Sequence, residues 1–270
     1  YIVTAADSSR LTLTFAAMSA AWSFGYIFSP AIGGYLTTVI GMRQVLLITT
    51  AFAVVCTGIY LLISSQHAPQ KTEEKESSKI EKSLKKNSMS TRKRLLVWSV
   101  FYSSIIFVMQ TGRTFIAPYL NSFVSAQEFY VGLFGSVNFA GVAVIGLLIA
   151  RLGDRWSKIE GVLMCILMYV ATVEAILFFP NPGFLLFVAF FWGGATTYGS
   201  LIASSIGAMA PETSRGKWIS IPTSTAMIAA VIAPYLSGYL YESSPYLPFI
   251  ISLVAAIPVT LFALTRLFKE

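Results

Sequence analysis

Ser99, Tyr102, Ser103, Gln110 and Arg113 recur at steps of three, four and seven residues along an otherwise apolar stretch. On a helix they share one face. A guanidinium at the centre of a membrane-spanning helix costs roughly 2.5–3.5 kcal/mol on insertion scales. Arg113, the one basic residue well inside any long apolar stretch, is therefore either turned inward to meet an anionic or polar solute group or, being near the outer third of its stretch, snorkels to the outer surface. Further along, Asn138 brings an amide, and Thr197, Tyr198, Ser200 and Ser204 form a small polar stripe. Thr223 and Ser224 follow in a later stretch. Polar groups at membrane depth mark a solute path, so Gln110, Arg113, Asn138, Thr197, Tyr198 and Thr223 are the candidate cavity residues. The Thr197–Ser204 stripe serves equally well as a helix-packing face. Glu174, in the outer half of its stretch, is a weaker candidate for moving a proton.

Other chemistries lack their residues. Cys56 and Cys165 each sit in an apolar run with no Cys or His at ligand spacing, and His67 is the only histidine. Neither a disulfide nor a metal site is expected. No glycine pair fits a phosphate loop, and no nucleophile–base constellation appears, so the chain is not read as an enzyme and no cofactor is expected.

Only 11% of the residues are charged and 56% are hydrophobic, against roughly 25% charged in soluble domains. Eight stretches reach the ~20 apolar residues that a transmembrane helix needs, approximately Leu11–Leu36, Val45–Ile63, Leu95–Leu120, Tyr130–Ala150, Gly161–Phe179, Phe184–Met209, Trp218–Leu240 and Leu247–Leu267. They are too long and too uniformly apolar for β-barrel strands. The expected fold is an all-α polytopic bundle whose first partner is the lipid bilayer. The net charge of +7 is concentrated between Lys71 and Arg94, and this argues against a nucleic-acid groove. With Arg10 cytoplasmic, 17 of the 19 basic residues fall on that side. The positive-inside rule therefore puts the central loop and the C-terminus in the cytoplasm of a multi-pass cell-membrane protein. Residues 66–93 read as a polar tether on the membrane surface, where their charge attracts anionic lipid.

Pro30-Ala-Ile-Gly33-Gly34-Tyr35-Leu36 is echoed by Pro234-Tyr-Leu-Ser237-Gly238-Tyr239-Leu240. Each copy closes a span that begins after a cytoplasmic basic residue, and each is followed by one more span. The first two spans thus correspond to the seventh and eighth, and four spans are expected to precede Tyr1, which is not an initiator Met. Residues 1–65 would end the first half of a twelve-span parent, residues 66–93 its central loop, and residues 94–270 a six-helix second half.

This organisation resembles the major facilitator superfamily, with the chain covering its helices five to twelve. Gly25-Tyr-Ile-Phe-Ser29-Pro30-Ala-Ile-Gly33-Gly34 is similar to that family's G-x-x-x-G-P-x-x-G-G pattern, with Ser29 in place of a glycine. Ala150-Arg-Leu-Gly-Asp154-Arg155-Trp-Ser157-Lys158 is similar to its G-x-L-x-D-R-x-G-R/K loop, with Ala150 and Ser157 replacing glycines. The resemblance implies a secondary transporter of a small organic solute working by alternating access, and the first motif favours efflux by proton antiport. A nutrient or metabolite uptake permease and a non-transporting receptor of the same fold are the alternatives. Gly25, Pro30, Gly33 and Gly34, with Pro234 and Gly238, would bend and pack their helices. The resemblance also implies a cytoplasmic latch. Asp154, with Arg155 and Lys158, would dock on the start of the first span beside Ser8, Ser9 and Arg10, where a helix N-terminus favours a carboxylate.

Overall fold

The computed structural model describes residues 11–64, 89–123, 127–155, 157–210 and 215–267. Among them there is no strand. The helices are α1 (Leu11–Ile27), α2 (Ser29–Ile40), α3 (Met42–Ser64), α4 (Met89–Arg113), α5 (Ile116–Phe123), α6 (Glu128–Arg155), α7 (Lys158–Phe178), α8 (Pro182–Ala195), α9 (Tyr198–Met209), α10 (Arg215–Ser243) and α11 (Leu247–Phe262), followed by a π-helical turn over Ala263–Leu267. Seven helical runs in the described residues are long and apolar enough to cross a membrane by length and composition.

The first expected span is not one helix. It breaks at Phe28, between the 17 residues of α1 and the 12 of α2. The break spares Pro30 its usual conflict, because it places the proline in the first turn of α2, where no N–H is needed. Pro234 behaves differently, since α10 runs unbroken through both Pro222 and Pro234. Two other expected spans are also interrupted, one by a turn after Arg113 and one at Thr196–Thr197. At the tether's end, helix α4 already begins at Met89. The run from Met89 to Arg94 contains neither glycine nor proline to oppose helix.

One apolar cluster, from Trp98 to Ala263, joins α4 through α11 and includes no described residue of α1–α3. Its large buried rings include Trp98, Phe101, Tyr119, Tyr169, Trp192 and Phe249. α1 and α2 lie outside this cluster along α6, with Tyr26 stacked on Phe139 at 5.2 Å and Tyr35 edge-on to Phe129 at 6.5 Å. α3 turns its apolar side chains outward, and none of its described residues is buried. α10 lies along α4, where the buried Ser237 hydroxyl donates to the Thr111 carbonyl at 3.1 Å.

α6 is the hub. Toward α8 it presents Asn138 and Gly141. A Cβ added at Gly141 would lie 1.8 Å from the Phe190 carbonyl oxygen, and one at Gly193 would lie 1.9 Å from that of Asn138. The two backbones therefore touch, and the Asn138 amide donates across the same seam to the Ala189 carbonyl at 3.2 Å. Toward α2 it presents Glu128, Gly132, Gly135 and Ser136, one helical face by spacing.

Candidate functional site

The site is built at the break between α8 and α9. Thr196 and Thr197 donate their N–H groups to Gly193 and Gly194 at 3.1 Å each, a tight i→i+3 turn in place of the α pattern. Irregular backbone at membrane depth is tolerated where it lines a cavity. A cavity of about 190 Å³ lies here, lined by Ala16, Ser19 and Ser23 of α1, Phe139, Val142 and Gly146 of α6, and Thr196, Thr197 and Ser200 of the α8–α9 break, together with Arg113 at the end of α4. The Ser19 and Ser200 hydroxyls meet at 3.4 Å across it. Arg113 is exposed, whereas Ser23, Thr197 and Ser200 are buried, so the cation stands at the mouth and the hydroxyls form the floor.

Of the six residues expected to line a cavity, Arg113 and Thr197 do. Asn138 does not reach it; its buried amide is spent on the α6–α8 seam. Gln110 lies half-buried about one turn before Arg113. Tyr198 is buried beside the cavity, edge-on to Tyr102 with ring centroids 6.2 Å apart. Thr223 bonds its own helix at Ile219 over 2.8 Å, and such local satisfaction of a hydroxyl is common in helices. Glu174 is exposed on α7. Sequence reading missed Ser19 and Ser23 as residues lining the same cavity as Arg113, and named Ser200 only as part of the polar stripe. Ser19 and Ser23 are one helical turn apart, a spacing visible in the sequence, but nothing local says which helix they face.

The helix-bend motif also resolves residue by residue. Gly34 packs on α6, where an added Cβ would lie 2.7 Å from the Glu128 carbonyl oxygen. Gly132 is pressed against Pro30, and Gly135 against the Pro30 ring. Ala31, freed by the helix break, donates its N–H to the Ser136 hydroxyl at 3.0 Å. Around Gly25 and Gly33 an added Cβ would meet nothing within 4 Å, and at Gly238 it would meet only the Phe115 ring edge at 3.8 Å. Close approach therefore depends on Gly34 and not on its neighbour or its repeat counterpart.

At the other end of α6, Asp154 is half-buried and interacts electrostatically with Lys158, while Arg155 is exposed. The Lys158 ammonium donates to the Ser204 carbonyl at 3.3 Å, so the turn is tied to α9. Ser157 and Glu160 cap α7 reciprocally. Arg10, Ser8 and Ser9 lie outside the described residues.

The Major Facilitator Superfamily model matches residues 1–129 and 102–270, and so spans the chain. The chain belongs to the major facilitator superfamily. No curated protein matches it closely. Major facilitator proteins are secondary transporters of small molecules across the bilayer, and the helices described here fit a partial transporter of that kind.

Proposed function

We propose that this chain contributes eight spans of a twelve-span exporter that moves a small organic solute out of the cytoplasm in exchange for protons, by alternating access between two six-helix halves. Residues 1–65 belong to the first half, residues 94–270 form the second, and residues 66–93 link them in the cytoplasm. The observation that carries the reading is the cavity shared by α1, α6 and α9 with Arg113 at its mouth. It lies between the elements assigned to different halves, and inverted opening of the halves would expose it to either side in turn. Efflux is favoured by the likeness of Gly25–Gly34 to the family's pattern, and the Pro30–Gly34 part of that segment packs closely onto Gly132, Gly135 and Ser136.

The test is flux in liposomes carrying the purified full-length transporter and an internal pH dye. Amphipathic organic solutes added against an imposed pH gradient should provoke solute-dependent proton movement that protein-free liposomes lack. Solute movement indifferent to the pH gradient would favour the uptake permease. No movement of any solute would favour a receptor.

The turn after α6 is read as the latch. Asp154→Asn should shift the population toward the inward-open state. A carboxylate at a helix N-terminus gains about 0.3–1 kcal/mol when exposed, so the expected change is severalfold at most. The readout is labelling of Ala16→Cys in a background where the exposed Cys56 is replaced by Ser. Unchanged labelling would leave Asp154 an ordinary loop carboxylate.

A further inference from the structure

We infer that the cavity between α1, α6 and α9 binds the carboxylate of an organic anion, so that the solute class is small monoanionic acids. Arg113 supplies the positive charge there, and Thr197 supplies an unmet hydroxyl beside it. The Arg113 guanidinium makes no hydrogen bond or ion pair with any described residue, and it acts electrostatically on the Tyr198 phenol. The Thr197 hydroxyl oxygen is buried without a hydrogen-bond partner, although Thr197 is 95% buried, its exposure being 5%. Burying an unpaired hydroxyl is unfavourable, and rotation of the Thr197 side chain toward a ligand oxygen would relieve it. Thr197 is also the N-cap of α9, and its side chain does not cap that helix.

No negative charge competes. None of the lining residues is acidic, and the described acidic residues other than the half-buried Asp154, namely Glu128, Glu160, Glu174 and Glu242, are exposed elsewhere. With a single cation among the lining residues, one negative charge is balanced, while a phosphate dianion would be left half-neutralised. Arg113 offers a planar fork that suits a carboxylate, and the hydroxyls of Ser19, Ser200 and Thr197 offer single donors to the remaining lone pairs. About 190 Å³ holds such a head with a small ring or short chain attached. Phe139 and Val142 give that body an apolar wall. Because Ser19 and Ser200 stand on α1 and α9, bound carboxylate would bridge the two elements that the preceding reading assigns to opposite halves. The inference rests on that reading only for the ligand's fate, not for its binding.

Binding is tested on the purified full-length transporter by ligand-induced stabilisation and by titration with three probes of one shape: benzoate, neutral benzamide and cationic benzylamine. Acetate and hexanoate extend the carboxylate set. Benzoate or hexanoate should bind at least tenfold more tightly than benzamide, and benzylamine not at all. Arg113→Gln should weaken the carboxylates at least tenfold, with Arg113→Lys recovering part of the loss. Thr197→Val, which keeps the shape and deletes the unpaired hydroxyl, should raise the Tm of the empty protein while weakening benzoate severalfold. Equal binding of benzoate and benzamide, carboxylate binding indifferent to Arg113→Gln, or no binding of any carboxylate at millimolar concentration would each overturn the inference. The parallel flux assay separates the two claims. Transport of neutral or cationic solutes without carboxylate binding sinks the anion site and leaves the transporter, whereas carboxylate binding without any flux sinks the transporter and leaves the site.

Discussion

Gly193→Ala is expected to be among the most disruptive single methyl additions at the described glycines. The new Cβ would lie 1.9 Å from the Asn138 carbonyl oxygen and 2.8 Å from the Val142 nitrogen. Both atoms are backbone of α6, so no side chain can rotate away. α8 must move off α6, and the Asn138–Ala189 hydrogen bond and the burial of Trp192 at 2% exposure go with it. Overpacking costs about 1–3 kcal/mol, occasionally more. A rigid backbone clash belongs at the upper end, and about 3 kcal/mol corresponds to a fall of roughly 6–12 °C in Tm for a chain of this size. Gly141→Ala, facing the Phe190 carbonyl oxygen at 1.8 Å, should behave alike. Gly25→Ala and Gly33→Ala are the controls. An added Cβ there meets nothing within 4 Å, and relief of helical glycine should leave Tm equal or slightly higher. Thermal melts in detergent that fail to separate Gly193→Ala from Gly33→Ala would mean that α6 and α8 do not cross at this distance.

Gly132→Val should act on the other face of α6 and give a different phenotype. Its Cβ would fall 2.2 Å from the Pro30 carbonyl oxygen and 3.2 Å from the Gly34 Cα. These atoms belong to α2, outside the apolar cluster of α4–α11. The bundle should therefore keep its fold while α2 is pushed away, which breaks the 3.0 Å bond from Ala31 to Ser136. If this contact seals the halves, passive proton leak into liposomes should rise severalfold with little change in Tm. Gly135→Ala, 3.0 Å from the Pro30 Cβ, should show a weaker form. A variant that melts normally and leaks no more than wild type would remove the sealing role from the Pro30 segment.

The membrane fold was legible because length and uniform apolarity are properties of each stretch alone. The helix breaks were legible in part. Pro30 announces one, yet the break falls ahead of it at Phe28, and the same residue type at Pro222 and Pro234 breaks nothing. The interruption at Thr196–Thr197 has no proline, and only its consequences in three dimensions mark it. Asn138 shows the limit for site residues. A buried amide needs partners, but the sequence does not say whether a solute or a neighbouring carbonyl supplies them, and here the Ala189 carbonyl does. Gly33 and Gly34 make the same point at one-residue resolution. Adjacent residues on a helix point about 100° apart, so one meets α6 and the other open space. Arg113 was legible as an expensive charge. Its neighbourhood with Ser19 and with Ser200 of the polar stripe was not, because the three come from helices far apart along the chain.

The two faces of α6 also determine what kind of motion it permits. Toward α8 the glycines interlock reciprocally, each backbone seated against the other and pinned by an amide. Displacement along that contact would drive Gly141 and Gly193 out of register onto bulkier neighbours. Toward α2 the contact is glycine and proline against a smooth stretch of small residues, held by a hydroxyl hydrogen bond and the Tyr35–Phe129 aromatic pair. Sliding there asks few side chains to change rotamer, and a shear of a few tenths of an ångström to an ångström or so is the kind of displacement packed helices accommodate. α6 thus travels with α8 as one rigid piece, and relative movement is channelled onto its glycine–serine face, where friction is lowest.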